Sequence, residues 1–244
     1  MKNKEEILQE CTVDGLIVRL PEGQLDRKLY QEVAKSLELI GGKWKGGKVM
    51  GFVFSQDPTE LLEQIANGEK RNLKKEFQFF GTPDDLADEL VILAEIKPTH
   101  KVFEPSAGQG AIIRAIQRVS PVNVHWCELM PVNQMFLNKM ENTTFVCEDI
   151  FKHKLTNHYD RIIANPPFSK NQDIDHVMKM YDLLKNGGRL VSITSTHWEN
   201  STNTKETEFR DWLRYNNAKI IDIEDGTFKE SGTMVGGKII VINK

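Results

Sequence analysis

Residues 101–119 read KVFEPSAGQGAIIRAIQRV, and their reading decides the fold. A short apolar strand runs into a loop holding Gly108 and Gly110, and a helix with apolar residues at three-to-four spacing follows. Glycine at such a turn lets the backbone bend tightly and approach a ligand closely. The neighbouring helix N-terminus offers free N–H groups. The third glycine of the dinucleotide fingerprint is missing, so the loop alone is a weak signal.

The chain beyond residue 83 repeats this strand–helix alternation. PDDLADELVILAEI (83–96) reads as a helix with proline in its first turn, NVHWCELM (123–130) as a strand and PVNQMFLNKM (131–140) as a helix. TTFVCEDI (143–150) and YDRIIANPP (159–167) are the next strands. DIDHVMKMYDLLKNGG (173–188) is a helix ended by glycines, RLVSITS (189–195) a strand and KETEFRDWLRYN (205–216) a helix. AKIIDIE (218–224) and GGKIIVINK (236–244) have no helix between them and predict an antiparallel hairpin. The whole predicts an α/β fold: a mostly parallel sheet covered by helices on both faces.

Residues 1–80 differ. DGLIVRL (14–20) and KVMGFVF (48–54) read as strands. Leu25, Leu29, Val33, Leu37 and Ile40 predict an amphipathic helix ending at Gly41-Gly42, and DPTELLEQIANGE (57–69) a second. This is a small α+β unit. KWKGGK (43–48) sets three lysines around Trp44, and KRNLKK (70–75) has four cations in six residues. Such stretches suit a phosphate backbone, and equally a solvated loop with Trp44 packed down.

Composition limits the class. The chain has 244 residues, is 39% hydrophobic and 27% charged, and carries a net charge of −3. That describes a globular protein whose basic surface, if it has one, is local. Cys11, Cys127 and Cys147 are too few and too scattered for a disulfide framework, and none forms a metal-binding pair. His153, His158, His176 and His197 show no ligand spacing and are assigned no role. The polar start and the lack of a long apolar run predict a soluble cytoplasmic protein.

Two acids sharpen the glycine loop. Glu128 ends the second strand, where a carboxylate can accept from both hydroxyls of a ribose. Asp149 follows the third, where one can accept from an adenine amine. The fourth strand brings Asn165-Pro166-Pro167-Phe168 to the same edge, where open α/β sheets bind ligands.

These residues together resemble the class I S-adenosylmethionine-dependent methyltransferases. EPSAGQG, Glu128, Asp149 and NPPF are similar to the branch that methylates amines, and especially to small phage- and plasmid-type N6-adenine DNA methyltransferases. FFGTPDDLADELV (79–91) resembles the segment that helps hold the methionine part of the cofactor. LELIGGKWKGGKVMGFVFSQDP (37–58) and GTFKESGTMVGGKIIVI (226–242) resemble the family's N-terminal module and C-terminal hairpin.

The resemblance implies a Rossmann-like, seven-stranded catalytic domain over residues 81–244 and a separate module over 1–80. It implies S-adenosyl-L-methionine as cofactor, DNA as partner and no metal. Phe80, Thr82, Pro83, Glu104, Pro105, Ser106, Ala107, Gly108, Gly110, Glu128, Leu129, Asp149, Ile150 and Asn165 are the implied cofactor contacts. Sequence-specific relatives usually carry a target-recognition domain. None is expected here after residue 81, which leaves recognition to the module, the loops or a partner.

The chemistry explains the NPPF turn. An exocyclic base amine is a poor nucleophile, because its lone pair is delocalised into the ring. Acceptors aimed at both amine hydrogens localise that lone pair. Asn165 can supply its side-chain oxygen and Pro166 its carbonyl, while proline geometry holds both in place. Phe168 can stack on the base. SKNQDIDH (169–176) is expected to form a mobile lid, and STHWENSTNTKETE (195–208) a loop. Planar amines in RNA, or a protein glutamine amide, are alternative acceptors. A non-catalytic nucleic-acid-binding protein on the same fold is the remaining alternative.

Overall fold

The computed structural model describes residues 2–54, 57–72, 81–154, 158–228 and 236–244. The chain divides into two compact units, Met1–Phe79 and Phe80–Lys244.

The first unit runs α1 (Lys4–Gln9), β1 (Thr12–Asp14), β2 (Ile17–Arg19), α2 (Arg27–Leu39), β3 (Lys43–Lys45), β4 (Gly51–Val53) and α3 (Thr59–Ala66). Its antiparallel sheet has the order β1-β2-β4-β3. The predicted apolar stripe of α2 does turn inward. Val33, Leu37 and Ile40 are buried with Ile7, Leu8, Val18, Phe52 and Ile65. Asn3 caps α1 through the Glu6 N–H, and the Glu6 carboxylate returns to the Asn3 N–H. Helix α1 and strands β1 and β3 go beyond the sequence reading. Each strand has three residues, too few to show a period of two.

The second unit contains α4 (Asp84–Ala94), β5 (Val102–Glu104), α5 (Ala111–Val119), β6 (Val124–Cys127), α6 (Pro131–Leu137), β7 (Thr143–Cys147) and β8 (Tyr159–Ala164). It continues with α7 (Gln172–Leu183), β9 (Leu184–Thr194), α8 (His197–Asn200), α9 (Thr204–Tyr215), β10 (Lys219–Ile223) and β11 (Gly237–Asn243). The seven strands lie in the order β10-β11-β9-β8-β5-β6-β7. Strands β5 to β9 pair in parallel. Strand β11 is antiparallel to β9 and to β10, so the expected hairpin is present. This is the mostly parallel sheet expected from the alternation and the Rossmann-like, seven-stranded architecture that the resemblance implies. Neighbouring residues of one strand go to opposite cores: Val102 packs with α4 and α5, and Phe103 with α7 and α9. Both faces are covered, which explains the near-continuous apolar strands.

Two local readings are corrected. Gly187 and Gly188 do not end a helix. Helix α7 stops at Leu183, and both glycines lie inside β9, where Gly187 has φ 78°. Cys127 and Cys147 form a disulfide, with Cα atoms 5.0 Å apart across a sequence separation of 20. They are register partners on adjacent parallel strands, a closeness that spacing along the chain does not show. No helix among the described residues is long and apolar enough to cross a membrane.

Candidate active site

The strand order reverses direction of growth at β5, with β6 on one side and β8 on the other. Crossovers leave in opposite directions there and open a crevice at the carboxyl ends. The sequence places Glu104, Glu128 and Asn165 at those ends.

Gly108 and Gly110 both have left-handed backbone, at φ 54° and 75°. Gly110 immediately precedes α5, and a Cβ there would meet the Met140 Sδ at 2.9 Å and the Leu137 Cδ2 at 3.1 Å. The left-handed backbone favours glycine, while the side-chain ends of Met140 and Leu137 could give way to a Cβ. The Ala107 N–H donates to the Cys127 carbonyl at 3.0 Å, which ties the loop to β6. Pro105 and Ala107 are buried, and Ser106 is half-buried.

Glu128 is engaged within the protein. Its carboxylate accepts from the Gly108 N–H at 2.7 Å and from the Met130 N–H at 2.8 Å. It therefore shapes the glycine loop. Burial raises its proton affinity above the usual carboxylate range, against those two N–H groups, which lower it. Glu104 is almost fully buried, and its Oε2 has no hydrogen-bond partner among the described residues. Burial first, and the Glu128 charge second, raise its carboxyl well above the usual range, opposed by Arg114. A buried acceptor without a donor beside a glycine loop fits a ligand that brings N–H donors and positive charge. S-adenosylmethionine, with an ammonium and a sulfonium, has that chemistry.

Asp149 accepts from the Phe151 N–H at 2.9 Å and caps the short 3-10 turn Ile150–Lys152. Ile150 is buried, while Phe151 is 49% exposed with its ring edge against His176. Leu129 is exposed beside Glu128. Phe80 lies outside the described residues. Pro83 precedes α4, and Thr82 reaches across to β8.

Asn165 follows directly on β8. Its Nδ2 donates to the Thr82 Oγ1 at 3.1 Å, which orients the planar amide. Pro166 is buried and Pro167 half-buried. Phe168 is half-buried and packs on the core under α4 and α5.

The next segments form helical turns where a lid is expected, and helices where a loop is expected. Ser169–Asn171 is a 3-10 turn in which Lys170 and Asn171 have φ 56° and 57°. The Asn171 Nδ2 donates to Glu206 Oε1 at 2.7 Å, and Lys205 Nζ to the Asn171 carbonyl at 3.1 Å. Helix α7 begins at Gln172, and Asp173 on its first turn is fully buried. Asp173 Oδ2 accepts from the Ser195 N–H and hydroxyl, both at 2.8 Å. Trp198 is buried in α8, where a loop is expected. Sequence reasoning misses Asp173, Ser195, Lys205 and Glu206, because their partners lie 22 to 35 residues away.

No group of three metal-ligating side chains occurs among the described residues. His125 and His153 each lie 3.2 Å from the buried Tyr159 hydroxyl, far from ligand geometry.

The family model for the methyltransferase small domain matches residues 90–218. No curated protein sequence matches the chain. The fold is similar to a type I restriction-modification methyltransferase subunit from Streptococcus thermophilus. The TM-score is 0.58 at 18% identity, over 89% of this chain and 53% of the other. The type I restriction enzyme EcoKI M protein gives TM-score 0.58 at 15% identity, over 91% and 51%. A dimethyladenosine transferase from Plasmodium falciparum gives 0.51 at 13%, over 68% and 63%. The chain spans about half the length of the two restriction-modification subunits. At these identities the likeness is one of fold.

Proposed function

The chain belongs to the methyltransferase small domain family, and from that premise we propose that it methylates the N6 amine of adenine in DNA. The observation that carries this reading is the turn after β8, where Thr82 orients the Asn165 amide beside the crevice. S-adenosylmethionine, when bound, supplies an electrophilic methyl group on sulfur.

The protein's part is to hold and to polarise. The loop from Glu104 to Gly110, with Glu128 fixing Gly108, is the cofactor cradle. Leu129, Asp149 and Ile150 would contact the adenosine part of the cofactor, and Thr82 and Pro83 its methionine part. Asn165 Oδ1 and the Pro166 carbonyl accept the two hydrogens of the target amine. These two contacts would favour a pyramidal nitrogen whose lone pair could accept the methyl group of a bound cofactor, the surplus amine proton passing to solvent. Thr82 and the proline geometry hold both acceptors before a substrate binds, so the stabilisation is preorganised. Phe168 offers a ring face to an extruded base.

The kinship in fold with restriction-modification subunits and the resemblance of the NPPF turn support DNA as the acceptor. The test is incubation with labelled cofactor and, separately, duplex DNA, single-stranded DNA, RNA and protein, followed by nucleoside and amino-acid analysis. N6-methyladenine from DNA is the expected product. Label confined to RNA or to glutamine overturns the choice of acceptor.

A further inference from the structure

We propose that the outer face of the N-terminal sheet is a docking surface for the phosphate backbone of DNA. The inference rests on the reading above, and it assigns residues that the catalytic site does not use.

Register defines the face. Lys43 pairs with Val53 and Lys45 with Gly51, while Ile17 also pairs with Val53 and Arg19 lies beside Gly51. Asp14 pairs with Ile17, and Thr12 with Arg19. Alternation puts these eight residues on one side of the sheet. The opposite side carries Val18 and Phe52, which pack on α1, α2 and α3. Trp44 belongs to that inner side, its ring edge-on to Phe52 at 5.2 Å. The tryptophan and its flanking lysines therefore point in opposite directions. The aromatic packs on Phe52 at the edge strand, and the cations stand on the face opposite α1, α2 and α3.

That face has a flat centre. A Cβ at residue 51 would meet Ile17 Cγ2 at 2.7 Å and the Val18 carbonyl at 2.9 Å, so only glycine fits beneath the Ile17 side chain. Around this centre stand Lys43 and Lys45, both exposed, and Arg19. The Gly46-Gly47 turn carries Lys48 beyond them, also exposed. Asp14 is the one acid among these eight residues and pairs with Arg19 at 2.7 Å. Lys43, Lys45 and Lys48 form no ion pair among the described residues. Two strand positions separate Lys43 from Lys45 by about 7 Å, so their flexible arms can reach separate phosphates. In a chain of net charge −3, exposed cations gathered on one sheet face match a polyanion with regularly spaced charges.

The experiment uses the full chain. Fluorescence anisotropy with a labelled duplex is measured across a salt series for wild type, Lys43→Gln/Lys45→Gln and Asp14→Asn. Cofactor affinity by calorimetry controls for folding. Each lost phosphate contact should reduce the slope of log K against log salt by about 0.9, so the double variant should lose nearly two. Asp14→Asn should bind more tightly at low salt. An unchanged slope in the first and unchanged affinity in the second would overturn the proposal while leaving methyl transfer to DNA intact. Loss of self-association in the double variant, with an unaltered slope, would assign the face to a second copy and also overturn it. Methyl label found only in RNA or protein would overturn the DNA reading itself and this docking surface with it.

Discussion

Thr82 and Asn165 are 83 residues apart in the chain, and the Asn165 amide nitrogen donates to the Thr82 hydroxyl at 3.1 Å. An amide is planar, so a bond that holds the nitrogen also sets the oxygen's direction. The segment before α4 thus decides how the turn after β8 presents its amide oxygen.

Asn165→Ala removes that acceptor and leaves the cradle around Gly108 in place. Its kcat should fall by about 10²–10³, as for loss of one preorganised polar contact, with cofactor affinity nearly unchanged. Thr82→Val should also lower kcat, and Thr82→Ser should restore it. A folded Asn165→Ala protein that methylates every substrate at the wild-type rate would falsify the assignment of this turn.

Glu128 holds both the Gly108 and the Met130 N–H groups. Glu128→Ala releases them and removes an acceptor from the cofactor. Loss of a charge-assisted bond is worth roughly 1.5–3 kcal/mol, about 10- to 150-fold in S-adenosylmethionine affinity. Calorimetry gives the value directly. Asp149→Ala should also weaken binding, and unchanged affinity in both variants would remove these acids from the site.

Phe168→Ala separates stacking from polarisation. Base stacking contributes roughly 1–3 kcal/mol per base, so the variant should bind an abasic-opposed or extruded adenine more weakly as well as turn over more slowly. An increase in substrate KM, read from steady-state kinetics, distinguishes it from Asn165→Ala. A KM equal to wild type would return Phe168 to a purely core role.

His176 makes stability depend on pH. Burial pushes its pKa down to about 4 from 6.5, against the raising effect of Asp149 and Asp175. Below the unfolded value the unfolded chain takes up a proton that the folded chain refuses. Stability from this group is therefore lost as pH falls from about 6.5 to 4, by about 3 kcal/mol over the window. Glu104, whose carboxyl burial raises, slopes the other way. The readout is the difference in Tm between wild type and His176→Gln, which should shrink as the pH falls. A constant difference would contradict the shift.

Asp173→Ala should destabilise the catalytic unit by about 1–3 kcal/mol for each donor left unpaired, here the Ser195 N–H and hydroxyl. Asp173→Asn keeps an acceptor and should recover part of the loss in chemical unfolding. Equal stability of all three proteins would show that the link between α7 and the end of β9 is idle.

Sequence alone determined the strand–helix alternation, the glycine loop at the end of β5, the acids at the ends of β6 and β7 and the antiparallel finish. Each of these is a local pattern: a period of apolar residues, a glycine where only positive φ serves, a charge at a strand end. Tertiary structure decided the rest. It brought Thr82 to Asn165, Cys127 to Cys147 and Asp173 to Ser195, and it turned the expected lid into the first turns of α7. It also set Trp44, 42% exposed, on the Phe52 side of a strand of three residues and its neighbouring lysines on the other. Periodicity says which side of an element is apolar, but a strand so short has almost no period. Which distant partner it meets, and in which register, is settled only when the whole core packs.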